Sequence, residues 1–406
     1  GVKALEEGLQ ILGAEALGSE PGDRVAILME LGRVQGQRCQ FQRALGTLQA
    51  AQRLLERGQD PEQQVELLGL LARVRFAQGQ PDAAYDHLRE ALHSARILDD
   101  PERQAECHLL IGSLRSLEQS LAPALHHLEG AIQRFNGLGD AVGSARARVW
   151  KARTLAALGE TVGAEMELLN ALSMPPGSLT AAERGDFAFL QGEISVFRGG
   201  LGDAIRLFGL ASELFEGAGL VWRERLARLC RIQAEASSFG GKGSTGCLEG
   251  SWAVLEQMKA QIEGSGSRWL DMEWHRAHAL LLMAAPESTE VVASEALSAW
   301  SEAQAAAREL RLPSVALEAS TQSAALLINR SEKLGARSRL QDAYGTFQDL
   351  WSRIPEEHAM AFLGRPDIHR FQRAVEEAGL RFVLPERVDP LADWTPTLVN
   401  LPLASR

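Results

Sequence analysis

The chain has 406 residues, 45% hydrophobic and 23% charged, a balance that suits a folded soluble protein and excludes a disordered one. A net charge of −11 argues against a nucleic-acid partner, whose binding relies on a basic face displacing counterions. Aromatic residues are scarce, Ala, Leu, Glu, Gln and Arg abound, and no apolar run reaches the roughly 18 residues of a membrane span, so helix is favoured and sheet and bilayer are not.

Residues 1–24 read as an N-terminal helix, part of a repeat, with Val2, Leu5, Leu9 and Leu12 on one face. The chain starts inside that helix and without methionine, which reads as a segment of something longer. Residues 25–224 hold five regular units that align without a gap, beginning at Leu31, Leu71, Ile111, Lys151 and Gln191. Small residues recur at Gly32, Ala72, Gly112, Ala152 and Gly192, then at Ala44, Ala84, Ala124, Ala164 and Ala204. A third small column is Ala51, Ala91, Ala131, Ala171 and Ala211, and a large one is Leu48, Leu88, Leu128, Leu168 and Phe208. Close crossing of two helices requires small side chains at the crossing and large ones around it. Gly79, Gly159 and Gly199 fall where the paired helices turn, a place for positive φ.

Residues 225–267 read as a degenerate unit whose turn carries an insertion, "FGGKGSTGC" at 239–247. Glycines, a lysine and hydroxyls suggest a phosphate cradle. The Walker A loop, however, needs GxxxxGK[ST] after a strand, and both spacing and context are wrong here. The stretch is a flexible loop between two helices. Residues 268–354 form two divergent helix pairs, the first turning at Pro286 and Ser288, the second parted at Gly335. Residues 355–389 read as a helical cap, and 390–406, with Pro390, Pro396 and Pro402, as a tail or linker.

The three small columns resemble those of the tetratricopeptide repeat (TPR), a helix–turn–helix unit of usually about 34 residues. The 40-residue beat is similar to the arrays of MalT-type activators and bacterial signalling ATPases. Lys151 and Gln191 stand where the family column is apolar. The resemblance implies an all-α, right-handed superhelical solenoid of about eight antiparallel helix pairs with a helical C-terminal cap. It also implies that the first helix of each pair lines a concave groove.

Groove residues can therefore be named. Arg33, Arg73 and Arg153 share one register, with Ser113 and Glu193 in the same column, and Phe76, Phe189 and Phe197 lie on the same helices. Guanidinium groups at successive rungs suit an acidic peptide or a free C-terminus, since they grip carboxylates in a planar fork. The alternative is that they tie neighbouring helices together. Other candidates carry less. His275 and His278 lack a third metal ligand at definite spacing, and His87 and His127 merely share a repeat position. Cys39, Cys107, Cys230 and Cys247 form no CxxC pair, which points to a reducing, cytoplasmic setting. No GxSxG or HExxH motif is present, and acids such as Asp99, Asp100, Glu356 and Glu357 fall at helix starts or links. The expectation is a non-catalytic scaffold or sensor module of a bacterial signalling or regulatory protein. It binds a protein or peptide partner and needs no cofactor, metal, nucleic acid or membrane. The alternative is a regulatory arm that binds a small molecule and gates an attached ATPase, kinase or protease.

Overall fold

The computed structural model describes residues 21–58, 60–173, 177–239, 245–285 and 289–385. Residues 1–20 of the helix expected over 1–24, most of the glycine-rich loop (240–244), the expected turn at Pro286 and Ser288, and the tail (390–406) lie outside the described residues. Among the described residues there is no strand. Helices follow one another in eight antiparallel pairs. These are α1 (Pro21–Gln37) with α2 (Phe41–Gly58), α3 (Pro61–Ala77) with α4 (Pro81–Ile97), α5 (Pro101–Leu117) with α6 (Leu121–Leu138), and α7 (Ala141–Ala157) with α8 (Thr161–Leu172). There follow α9 (Ala181–Phe197) with α10 (Leu201–Gly217), α11 (Val221–Phe239) with α12 (Thr245–Glu263), α13 (Arg268–Ala284) with α14 (Glu290–Glu309), and α15 (Pro313–Asn329) with α16 (Lys333–Ser352). A cap of α17 (Ala359–Leu363) and α18 (Pro366–Glu377) ends the array.

Local signals repeat with the same beat. Asp60, Asp100 and Asp140 cap the first helices of pairs two to four, each side chain accepting from backbone N–H groups of the first turn. Thr180 does the same for α9 in a capping box with Glu183. Within each of the first five pairs the turn passes through one left-handed residue, at Cys39, Gly79, Gln119, Gly159 and Gly199. In the last pair the left-handed residue is Ser331, and Gly335 lies inside the first turn of α16 rather than at the break.

The columns interlock. The second and third alanine columns are fully buried throughout. A Cβ added at Gly112 would stand 2.7 Å from Leu128, and one at Gly192 2.7 Å from Phe208, so the small first column exists to admit the large one. Leu168, in the shorter α8, departs in being only partly buried. Lys151 tolerates its otherwise apolar column by pairing with Glu129 (3.1 Å) and Glu167 (3.0 Å) across the neighbouring second helices.

Curvature then closes the array on itself. The sixth pair meets the first, α11 packing against α1. Ser267 donates to the Ala77 carbonyl (3.1 Å), Trp269 packs on Phe76 with ring centroids 5.3 Å apart, and Arg311 pairs with Asp82 (2.7 Å). Further along, Arg365 donates to the Ala157 carbonyl (2.6 Å) and His358 lies 2.9 Å from Glu160. Leu310 and Arg268 crowd Gly79, the Ala361 carbonyl crowds Gly159, and Pro366 approaches Gly199. The turns of pairs one to five thus form the ledge on which the second superhelical turn sits. One core cluster runs through pairs one to three and six to eight; another joins Leu121, Ala157 and Leu158 to Leu317, Phe347 and Phe371.

Candidate functional site

The inner face of the superhelix is built from the first helix of each pair. Two polar columns run along it, seven residues or about two helical turns apart, so both lie on one side of each helix. One is Glu66, Glu106, Arg146 and Asp186; the other is Arg33, Arg73, Ser113, Arg153, Glu193, Gln233 and Glu273. Most members pair across neighbouring rungs. Arg146 reaches Glu106 at 2.7 Å, and Arg153 grips Glu193 with two nitrogens at 2.9 and 3.0 Å. Gln233 donates to the Glu273 carboxylate (2.7 Å), and Arg276 bridges Glu273 (2.7 Å) and Glu318 (2.6 Å). Arg223 meets both oxygens of Asp186 at 2.7 and 2.6 Å.

Arg73 is different. Its side chain is exposed, and it makes no hydrogen bond or ion pair among the described residues. Burial nevertheless lowers its pKa; Glu106 opposes that, while Arg146 and Arg223 reinforce it and Asp186 opposes it again. Those four groups stand on α5, α7, α11 and α9, the other first helices of pairs three to six. Arg73 is a solvent-exposed cation that shares its field with these groups. Asp186 agrees: burial raises its carboxyl above the usual range although Arg223, Arg146 and Arg73 all act to lower it.

The other expected groove residues are placed as follows. Arg33 is exposed and donates through Nε to Glu30 of its own helix (2.7 Å). It borders a cavity of about 150 Å³ with Met29, Gln63, Glu66 and Leu70 at the start of the inner face. Arg153 is only 5% exposed; besides Glu193 it donates to the carbonyl and hydroxyl of Ser116 (3.1 and 3.0 Å), tying pairs three, four and five. Phe76 is buried against Trp269 between the superhelical turns. Phe189 packs on Phe208, with centroids 5.4 Å apart. Phe197 is half-buried, with the Arg153 and Arg365 guanidiniums 5.7 and 5.1 Å from its ring centroid. Glu106, Arg146, Asp186 and Arg223 were not anticipated; the column Glu66, Glu106, Arg146, Asp186 was visible at the same 40-residue spacing.

The histidines fall elsewhere. His127 pairs not with His87 but with His108 of its own helix pair, their Nδ1 atoms 3.1 Å apart. His275 and His278 lie beside Asp271 and Glu295, each at 3.6 Å, around the Trp274 ring. No group of three metal-ligating side chains occurs among the described residues. No helix of the described residues is long and apolar enough to cross a membrane.

A solved structure shares this architecture. A crystal structure of a Rap protein complexed with competence and sporulation factor matches 88% of this chain and 99% of its own, with TM-score 0.51 and 13% identity. The crystal structure of the P58(IPK) TPR domain covers the same shares at 13% identity, with TM-score 0.23. The chain has a TPR-like helical-repeat fold, an all-α solenoid. No protein-family model and no curated relative matches the sequence.

Proposed function

We propose that the chain is a non-catalytic interaction module that binds a peptide or an extended protein segment along its central channel. One observation carries this reading: two columns of charged side chains run along the first helices of successive pairs, most of them pairing across rungs, while exposed Arg73 makes no hydrogen bond or ion pair among the described residues. A solenoid offers a long curved face rather than one enclosed pocket, and an extended chain fits such a face along its length. A cavity of about 150 Å³ lies beside Arg33 and Glu66 of the same columns. A Rap protein of similar fold was crystallised with a competence and sporulation factor, which supports a bound partner as the use of this architecture. In an acidic molecule of net charge −11, a locally cationic channel favours an acidic segment. A regulatory or signalling setting follows from such partner capture.

The test is to place a photocrosslinking phenylalanine analogue at Glu66, exposed on the inner column, or at Arg89, exposed on the second helix of pair two. Each version is then irradiated with extract of the native host. Crosslinks to a partner are expected from position 66 and not from 89. Crosslinks from 89 alone would place the partner on the outer surface and end the channel reading.

A further inference from the structure

We infer that the outer face of α8 is a dimerisation surface, on which a second copy of this chain docks through the same helix, antiparallel about a two-fold axis. The surface lies away from the inner columns and leaves the channel open.

Four large apolar side chains stand along α8 in contact with solvent: Val162, Met166, Leu169 and Leu172, each between 51% and 70% exposed. Steps of four, three and three residues put them on one side of the helix. Ala164 and Ala171, on the opposite side, are fully buried against the array. Other exposed apolar residues, such as Ile97, Val291, Leu334 and Met360, stand singly on their elements.

The repeat makes this stripe an exception. On the neighbouring rungs the positions of Val162, Met166 and Leu169 are Ala122, His126 and Glu129 in α6, and Gly202, Arg206 and Gly209 in α10. In none of the five units but the fourth does a large apolar residue fill these three columns. Stacking one pair on the next therefore does not call for them. Leu172 completes the stripe: Leu92 and Ile132, at its position in earlier units, are buried by the array, and it is not.

The occupant follows from symmetry and size. A two-fold contact sets each residue against one equally far beyond the axis. About a midpoint between Glu167 and Leu168, Met166 and Leu169 are symmetric, and Val162 and Leu172 nearly so. An antiparallel copy thus sets Met166 on the partner's Leu169, and Val162 beside the partner's Leu172. The polar flank matches as well. Glu165, paired with Arg198 of its own chain, faces the partner's Asn170, and on α6 the same axis sets exposed His126 opposite the partner's Glu129. An unrelated partner would place no such condition on the spacing. The four side chains expose roughly 400 Å² of apolar surface per copy, the size at which a patch marks an interaction site. Two such stripes, with the flanks of α6 and α10, reach the low end of specific interfaces, about 1,200 Å² in total. The expected dimer is a reversible one of micromolar affinity.

The test is sedimentation velocity of the full chain from about 1 to about 200 μM, a range that spans such an affinity. Wild type should pass from monomer to dimer across it. Leu169→Glu presses a charge against the partner's Met166 and should weaken the dimer by about 10- to 100-fold. Met166→Lys should do the same. The double variant Met166→Lys, Leu169→Glu should regain most of the loss, because each lysine then meets the partner's glutamate. Both side chains are exposed, so all three variants should melt with dilute wild type. A chain that stays monomeric throughout, a dimer that Leu169→Glu leaves intact, or a double variant no better than the singles would each overturn the two-fold contact. Single variants that melt below wild type when dilute would overturn it too, since the stripe would then be covered by the chain's own residues.

Discussion

The first superhelical turn and the second solve the same packing problem with different residues. In pairs one to five the buried contacts repeat as columns of small residues and a column of large ones, with Gly32 against Leu48, Gly112 against Leu128 and Gly192 against Phe208 at one fixed spacing. In pairs six to eight and the cap the architecture persists, but bulky and individual side chains fill it. Trp300 is fully buried, Trp274 donates to the Leu255 carbonyl (3.0 Å), and Trp351 to that of Pro385 (3.1 Å). Phe347 sits among Phe371, Phe362, Phe382 and Trp351. The reason lies in the number of neighbours. A unit of the first turn must fit the units on either side, which are copies of itself, so one solution serves every time. A unit of the second turn must also fit the ledge beneath it, and that third surface differs from rung to rung.

The largest expected effect comes from cutting the cap away from the first turn. The Arg365 side chain is 2% exposed; it holds Asp367 with two nitrogens, donates to the Ala157 carbonyl and lies between the Phe197 and Phe362 rings. Burial works against the Asp367 charge, but Arg365 holds its carboxyl below the usual range. Arg365→Ala leaves that acid and carbonyl without their partner and should cost about 3–5 kcal/mol in urea unfolding. Hydrogen exchange should quicken at residues 157–160 as well as in α18. Protection that is lost in α18 alone would show that the cap does not brace the first turn.

A smaller loss tests the repeated contact itself. Ala124 is fully buried at a helix crossing, so Ala124→Leu should cost about 1–3 kcal/mol through overpacking. Gln133 on the same helix is exposed, and Gln133→Leu should stay within about 0.5 kcal/mol. Equal effects at the two positions would mean that the columns do not mark the core.

Acid should separate the turns next. Burial, and then neighbouring positive charge, pushes His108 down to about 3 and His127 down to about 4. The unfolded chain titrates them near about 6.5. Between that value and about 3 it binds more protons than the folded chain, so stability is complete above the window and lost as pH falls through it. In the second turn burial also lowers His275 and His278, with Asp271 and Glu295 opposing it only in part. The acid limb of urea midpoint against pH should therefore flatten in a His108→Gln, His127→Gln double variant. An unchanged limb would assign acid lability to other groups.

The least effect is expected from the ion pair between the turns at Arg311 and Asp82, whose side chains are 55% and 71% exposed. Arg311→Ala should cost no more than about 1 kcal/mol, and less in high salt. A loss of several kcal/mol would show that this pair, and not the buried contacts around Phe76 and Trp269, holds the turns together.

The residues of the channel were partly legible. Arg73, Arg153 and Glu193 were placed in one column from spacing alone, because inner-face positions recur every 40 residues. That Arg153 and Glu193 would satisfy each other was not legible, since a column shows register and not the rotamer that spans two rungs. Phe76 illustrates the same limit: its place on an inner helix was readable, but its neighbour Trp269 is nearly five units away along the chain.

What the chain encodes locally is therefore the helix pair and its stacking. Caps at Asp60, Asp100 and Asp140, the left-handed turns and the alanine columns each act within a few dozen residues, so their periodicity is written in the sequence. What only the tertiary structure decided is the closure of the superhelix and, with it, which charged groups stay free. The small rotation from each pair to the next accumulates until the sixth pair meets the first. No local pattern records that sum, and it is the sum that sets Phe76 against Trp269 and Arg365 against the Ala157 carbonyl.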